Sequence, residues 1–167
     1  MTETQIQRLH NFNLNESDVY GRKIFKRYSD IQTELMERTD YSVSLAKEYL
    51  PNVIFRVVDI NLGIHTEGSL HYDGKAIDGF FEDTKENSIL PLGLQYFLIS
   101  LGGFKGLGVY PEHTEPKIHA DIRDQDNVSV WYAYYSEKPK KKQLYEYNRL
   151  KVAEVLGCGL GKTLSVV

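Results

Sequence analysis

The 167 residues contain one cysteine, Cys158, so no disulfide can close within the chain and folding needs no oxidising compartment. No apolar stretch approaches the roughly 20 residues that span a bilayer, so the sequence predicts no membrane segment. Residues 1–5 lack the basic and apolar blocks of a secretory signal, and synthesis in the cytoplasm without a signal peptide is expected. Neither sign of charge dominates: the net charge of −3 gives no general attraction to nucleic acid or anionic membrane. Repeats, low-complexity tracts and linker-like runs are missing too, so residues 1–167 read as a single domain.

What is present is the composition of a soluble globular protein, 41% hydrophobic and 26% charged, enough for a sizeable core. Residues 17–37 show mixed helical periodicity, with Val19, Ile24, Phe25, Tyr28, Ile31, Leu35 and Met36 as candidate core positions. A second short helix is expected over 42–50, stopped by Pro51. Residues 1–50 thus form a helical N-terminal part. The β-branched run over 52–61 reads as a buried strand. A hairpin about Asp73-Gly74 is expected over 70–78. Pro91 opens a helix to Leu101, closed by Gly102-Gly103. Strands follow over 108–110, 117–122 and 128–135, then a last helix from Pro139 to Leu156. The fold class is α+β, a central antiparallel sheet flanked by helices.

Chemistry concentrates between residues 51 and 157. With a turn at Asp73-Gly74, Ser69, His71, Ala76 and Asp78 share one face of the ribbon, and Ala76 leaves room for an ion between His71 and Asp78. Alternation places Lys117, His119, Asp121 and Arg123 on one face of a later strand, with Ile118, Ala120 and Ile122 toward the core. His71, Asp78 and His119 together make a three-ligand set with an open fourth position, the form of a catalytic zinc site.

The pattern Ser69-x-His71-x-x-Gly74-x-Ala76-x-Asp78 resembles, at every defined position, the first metal motif of the zinc D-Ala-D-Ala carboxypeptidases and related phage endolysins. The hedgehog signalling domain shares that fold and a very similar stretch. Gly106-Leu107-Gly108-Val109-Tyr110-Pro111, followed by Ile118-His119-Ala120-Asp121-Ile122-Arg123, resembles the second motif of the carboxypeptidase branch. Trp131 stands where that branch often has an aromatic residue, and the resemblance spans residues 53–135.

The resemblance implies a hedgehog-like, D-Ala-D-Ala-peptidase-like fold with residues 51–157 as the metal-site core. It implies one Zn2+ per chain on His71, Asp78 and His119, and hydrolysis of peptidoglycan-type peptide bonds as a carboxypeptidase or endopeptidase. Relatives often carry an acidic residue three positions before the last ligand His; here that position is Pro116. Glu115 is the first choice for the base, with His113 and Glu112 in reserve. Asp121 is expected to orient a ligand or an arginine. Arg56 or Arg123 would hold the substrate carboxylate, and Ser69 would donate a hydrogen bond to substrate or shape the hairpin.

A monomer is expected, with no nucleic-acid or membrane partner. Phage or prophage origin, with holin or virion delivery to the cell wall, would suit a cell-wall hydrolase without a signal peptide. The rival reading is a zinc-bound but inactive recognition or virion structural module. Two other signals carry no function: the basic run over 138–142 reads as a solvated helix start, and residues 157–163 resemble a phosphate-binding loop without its first glycine.

Overall fold

A computed structural model describes residues 1–13, 15–112, 115–135 and 143–156. Leu35, Met36, Val43 and Ala46 recur at helical spacing and bury one side of α2 (Thr33–Tyr49). This one helix covers the second predicted helix and the end of the first. Residues upstream behave differently from the expectation. After the single-turn α1 (Glu3–Ile6), Gly21 turns the chain with φ 77°. The Asp18 carboxylate caps that turn by accepting from the Tyr20 and Arg22 amides at 2.9 Å. A run of 3-10 turns, Ile24–Asp30, follows. Ile24, Phe25 and Ile31 are buried as expected, but from turns in place of a helix.

The strands are β1 (Val53–Asp59), β2 (Ala76–Asp83), β3 (Ser88–Ile89), β4 (Gly106–Tyr110), β5 (Lys117–Asp121), β6 (Ser129–Tyr135) and β7 (Gln143–Glu146). Among the described residues they form one seven-stranded sheet in the order β1-β2-β5-β4-β6-β7, with β3 also on β2. The fold is α+β with a mixed open sheet. Most pairs are antiparallel, but β4 and β6 run parallel. That pair corrects the fully antiparallel expectation: β6 passes β5 and joins the far edge of β4, which reverses its sense relative to its neighbour.

α3 (Leu92–Ser100) starts after Pro91 and is followed by Gly103 at φ 70°, as its flanking residues predict. α2 and α3 cover one sheet face, where Phe55, Ile77, Phe81, Val109, Ile118 and Ala120 meet Leu35, Leu98 and Ile99. The last predicted helix is split. Residues 143–146 pair with β6, and helix α4 (Arg149–Val155) begins only after Asn148, whose side chain accepts from the Leu150 and Lys151 amides. Pro139, the basic run and residues 157–163 lie outside the described residues.

Candidate metal centre

Strand alternation writes a row of side chains across the uncovered face. Asp59, Asp78, His119, Gly108 and Trp131 are successive cross-strand partners on β1, β2, β5, β4 and β6. The next row runs Ala76, Asp121, Gly106 and Ser129. The two glycines are a condition of the site. A Cβ on Gly108 would meet the Trp131 ring, and one on Gly106 would meet the Asp121 carboxylate. In their absence Trp131 reaches toward His119, with ring centroids 5.1 Å apart, and Asp121 is fully buried beside it.

His71 comes from outside the sheet. A bulge between Val57 and Asp59 brings Asp59 opposite Asp78. The chain then returns over the sheet in successive turns, Ser69 bonding Thr66, Tyr72 bonding Ser69 and Gly74 bonding His71. The expected hairpin does not form, because β2 begins only at Ala76. A two-residue type I′ turn requires positive φ at both central residues. Gly74 has φ 62°, whereas Asp73 does not enter that region. Gly74 serves instead for close approach: a Cβ there would strike the backbone of Asp30 and Ile31, and its carbonyl accepts from the Gln32 amide at 3.0 Å. The N-terminal part therefore clamps the loop that carries His71.

The three predicted ligands meet by this route. His71 Nε2, Asp78 Oδ1 and His119 Nδ1 lie within 4.8 Å of one another, all buried, and can hold a metal ion. Their separations are 3.4 Å (His71–Asp78), 3.3 Å (His71–His119) and 2.8 Å (His119–Asp78). Tetrahedral ligands at roughly 2.0–2.2 Å from zinc stand about 3.3–3.6 Å apart, so two of the three separations already match. The other ring nitrogens are engaged as zinc sites require. His71 Nδ1 lies 2.6 Å from the Ile60 carbonyl and His119 Nε2 lies 3.1 Å from Asp121 Oδ2. Donating there leaves the inward nitrogens as acceptors for an ion.

The charges are interlocked. Burial pushes the Asp78 carboxyl up, but the His119 and His71 rings and the Lys117 ammonium hold it well below its ordinary 3.8. Burial lowers the His119 pKa, yet its hydrogen bonds to Asp121 and Asp78 carry it from 6.5 to about 9. Burial also opposes ionisation of Asp121, and the Arg123 guanidinium and His119 ring overcome it, leaving its pKa far below the ordinary range. Without an ion, His119 therefore holds a proton at neutral pH between two carboxylates.

A cavity of about 930 Å³ opens over the cluster. The loop residues Ile64, Glu67 and Ser69 form one wall, and Trp131 and Tyr147 stand in another. Arg123 borders it but is engaged with Asp121 at 2.8 and 2.6 Å and lies over the Trp131 ring. Asp121 thus bonds both the His119 ring and the Arg123 guanidinium. Ser69 borders the cavity and accepts from the His71 amide at 3.4 Å, so it also shapes the loop.

Arg56 does not join the site. It lies half-exposed on β1, paired with Glu82 at 2.7 Å, because β2 offers a carboxylate on the same face before the cavity is reached. Glu115 is exposed in the turn before β5 and is not among the cavity's lining residues, and His113 lies outside the described residues. Among the residues that border the cavity without a role in the motifs are His65, Glu67 and Lys117. His65 stacks on His71 at 4.0 Å and stands 3.4 Å from Asp59; Glu67 is exposed on the loop; Lys117 contacts Asp78. Only Lys117 had a signal, its alternation with His119. Compared with models of known families and with curated proteins, the chain matches none.

Proposed function

We propose that this chain is a zinc metallopeptidase of the D-Ala-D-Ala-cleaving type, with the hedgehog-like fold its motifs imply, acting on peptidoglycan peptides. The observation that carries the reading is the buried His71–Asp78–His119 cluster under an open cavity, with both outward ring nitrogens engaged by acceptors. Two imidazoles and one carboxylate suit zinc and leave a position for substrate. When bound, zinc would polarise the scissile carbonyl and lower the pKa of water.

The chain's own residues supply the rest. Ile60 and Asp121 orient the two rings, and Asp78 offers Oδ1 to the cluster while Lys117 binds Oδ2. A general base would take the proton of the attacking water. Glu67, on the cavity wall, is better placed than Glu115, which is exposed outside the lining. A phage or prophage cell-wall hydrolase is the setting this activity suits.

The test is zinc content of protein purified without chelator, then release of D-alanine from a peptidoglycan pentapeptide. One zinc per chain, lost in His71→Ala, together with turnover lost in Glu67→Gln at full zinc content, supports the enzyme. Zinc without turnover in the parent supports an inactive zinc-bound recognition module, a reading favoured by the exposed position of Glu115. No zinc in either protein ends both readings.

A further inference from the structure

Among the described residues, the lysine and arginine side chains that border the cavity are Arg22, Lys117 and Arg123. Arg22 faces two carboxylates outside the cluster, Asp18 at 2.5 Å and Asp59 at 3.6 Å, and donates to the Val58 carbonyl at 3.0 Å. Arg123 is spent on Asp121, with its plane over Trp131. Lys117 differs. An ammonium carries three donors and no acceptor, and among the described residues Nζ makes one hydrogen bond, to Asp78 Oδ2 at 3.1 Å. Its other neighbour is the Tyr110 ring, 5.0 Å away, which attracts a cation but satisfies no N–H fully.

Enclosure makes the remaining donors matter. The Lys117 side chain is 13% exposed, so bulk water does little for them, and its one carboxylate partner is shared with two imidazoles. Alternation places Lys117 on the same face as His119 and two residues away from it, beside the cluster. Among the described residues, Lys117 is the lysine or arginine hydrogen-bonded to the His71–Asp78–His119 cluster itself, and it keeps donors for an anionic group entering the cavity. It is not the arginine that the sequence nominated on β1, which is held by Glu82.

We propose that Lys117 is the anion receptor of this cavity, binding the terminal carboxylate of the ligand and so selecting peptides whose scissile bond lies next to a free C-terminus. This rests on the peptidase reading and narrows it to a carboxypeptidase. Lys117 contributes a charge-assisted hydrogen bond that an amide cannot replace.

The experiment compares N-acetyl-D-alanine with N-acetyl-D-alaninamide, which differ in that one group, by NMR shift titration of zinc-supplemented protein. Parent, Lys117→Met and Lys117→Arg are titrated, with zinc content measured on each sample. Methionine keeps the apolar stem against Tyr110 and removes the charge. The parent is expected to bind the acid about tenfold or more tightly than the amide, the scale of a hydrogen bond to a charged group. That preference falls to about unity in Lys117→Met and persists in Lys117→Arg.

A parent that binds acid and amide alike overturns the proposal, as does a Lys117→Met protein that keeps the preference. A Lys117→Met protein whose zinc affinity drops while the preference stays also overturns it, because Lys117 then only balances Asp78. Absence of zinc from the parent sinks the peptidase reading separately, and the acid–amide ratio on the same sample still decides the role of Lys117.

Discussion

Ile118 and His119 are neighbours in the chain and stand on opposite faces of the same sheet. On the helix-covered face, Ile77, Val109, Ile118 and Ala120 make contacts that have no direction and need no partner atoms. On the cavity face, Asp78, His119 and Asp121 are as deeply buried, and each needs a specific hydrogen bond to be tolerated there. One face supplies stability through apolar area. The other holds charge out of water, through partners that also prepare it for a cation.

The contrast is tested most strongly on the core side. Phe81→Ala should cost about 4 kcal/mol of unfolding free energy, read by urea denaturation, while the zinc content of the folded fraction stays at the parent level. A loss below about 1 kcal/mol would mean that the helix-covered face is not the main source of stability. On the cavity side, Asp121→Asn should lower zinc affinity by about 10- to 100-fold in a chelator competition assay, since the His119 ring loses its charged acceptor. An unchanged affinity would make Asp121 merely an anchor for Arg123.

The pH dependence carries a definite sign. His119 has its folded pKa raised from 6.5 to about 9 in the ion-free protein, so its contribution to stability is fully present below about 6.5 and is lost as pH rises through about 9. Zinc bound at the cluster would compete with that proton. Affinity should therefore rise about tenfold per pH unit between 7 and about 9, with about one proton released per ion at pH 7 from this ring, measured by calorimetry in buffers of different ionisation enthalpy. A flat profile would show that His119 is already neutral. The smallest effect is expected at Arg56→Ala: its half-exposed pair with Glu82 should contribute within about 0.5 kcal/mol, and zinc affinity should not move. A clear loss of ligand binding there would return Arg56 to the site.

Local chemistry made much of this legible. β-branched density announced β1, Pro91 and the Gly102-Gly103 pair bracketed α3, and alternation sorted Lys117, His119 and Asp121 from Ile118 and Ala120. The three residues of the buried cluster, His71, Asp78 and His119, were legible as a motif. Less readable were elements whose cause is distant. The periodicity of 17–31 is shared by buried turns and a helix, and only Gly21 with the Asp18 carboxylate decides between them. Strand β7 pairs with β6 and could not be seen in its own four residues. Asp73-Gly74 carries a hairpin signal locally, yet Gly74 is used to pack beneath Asp30 and Ile31.

By itself, then, the sequence determined which side chains could bind an ion and which strand faces they occupy, because side-chain chemistry and a two-residue repeat are properties of the chain alone. Only the tertiary structure decided that His71 arrives on a clamped loop and that Asp121 lies in the space left by Gly106. It also decided that Arg56 is drawn to Glu82 while Lys117 keeps donors to offer. Each of these depends on a close approach between residues far apart in the chain, and electrostatic partnership is settled by distance in space.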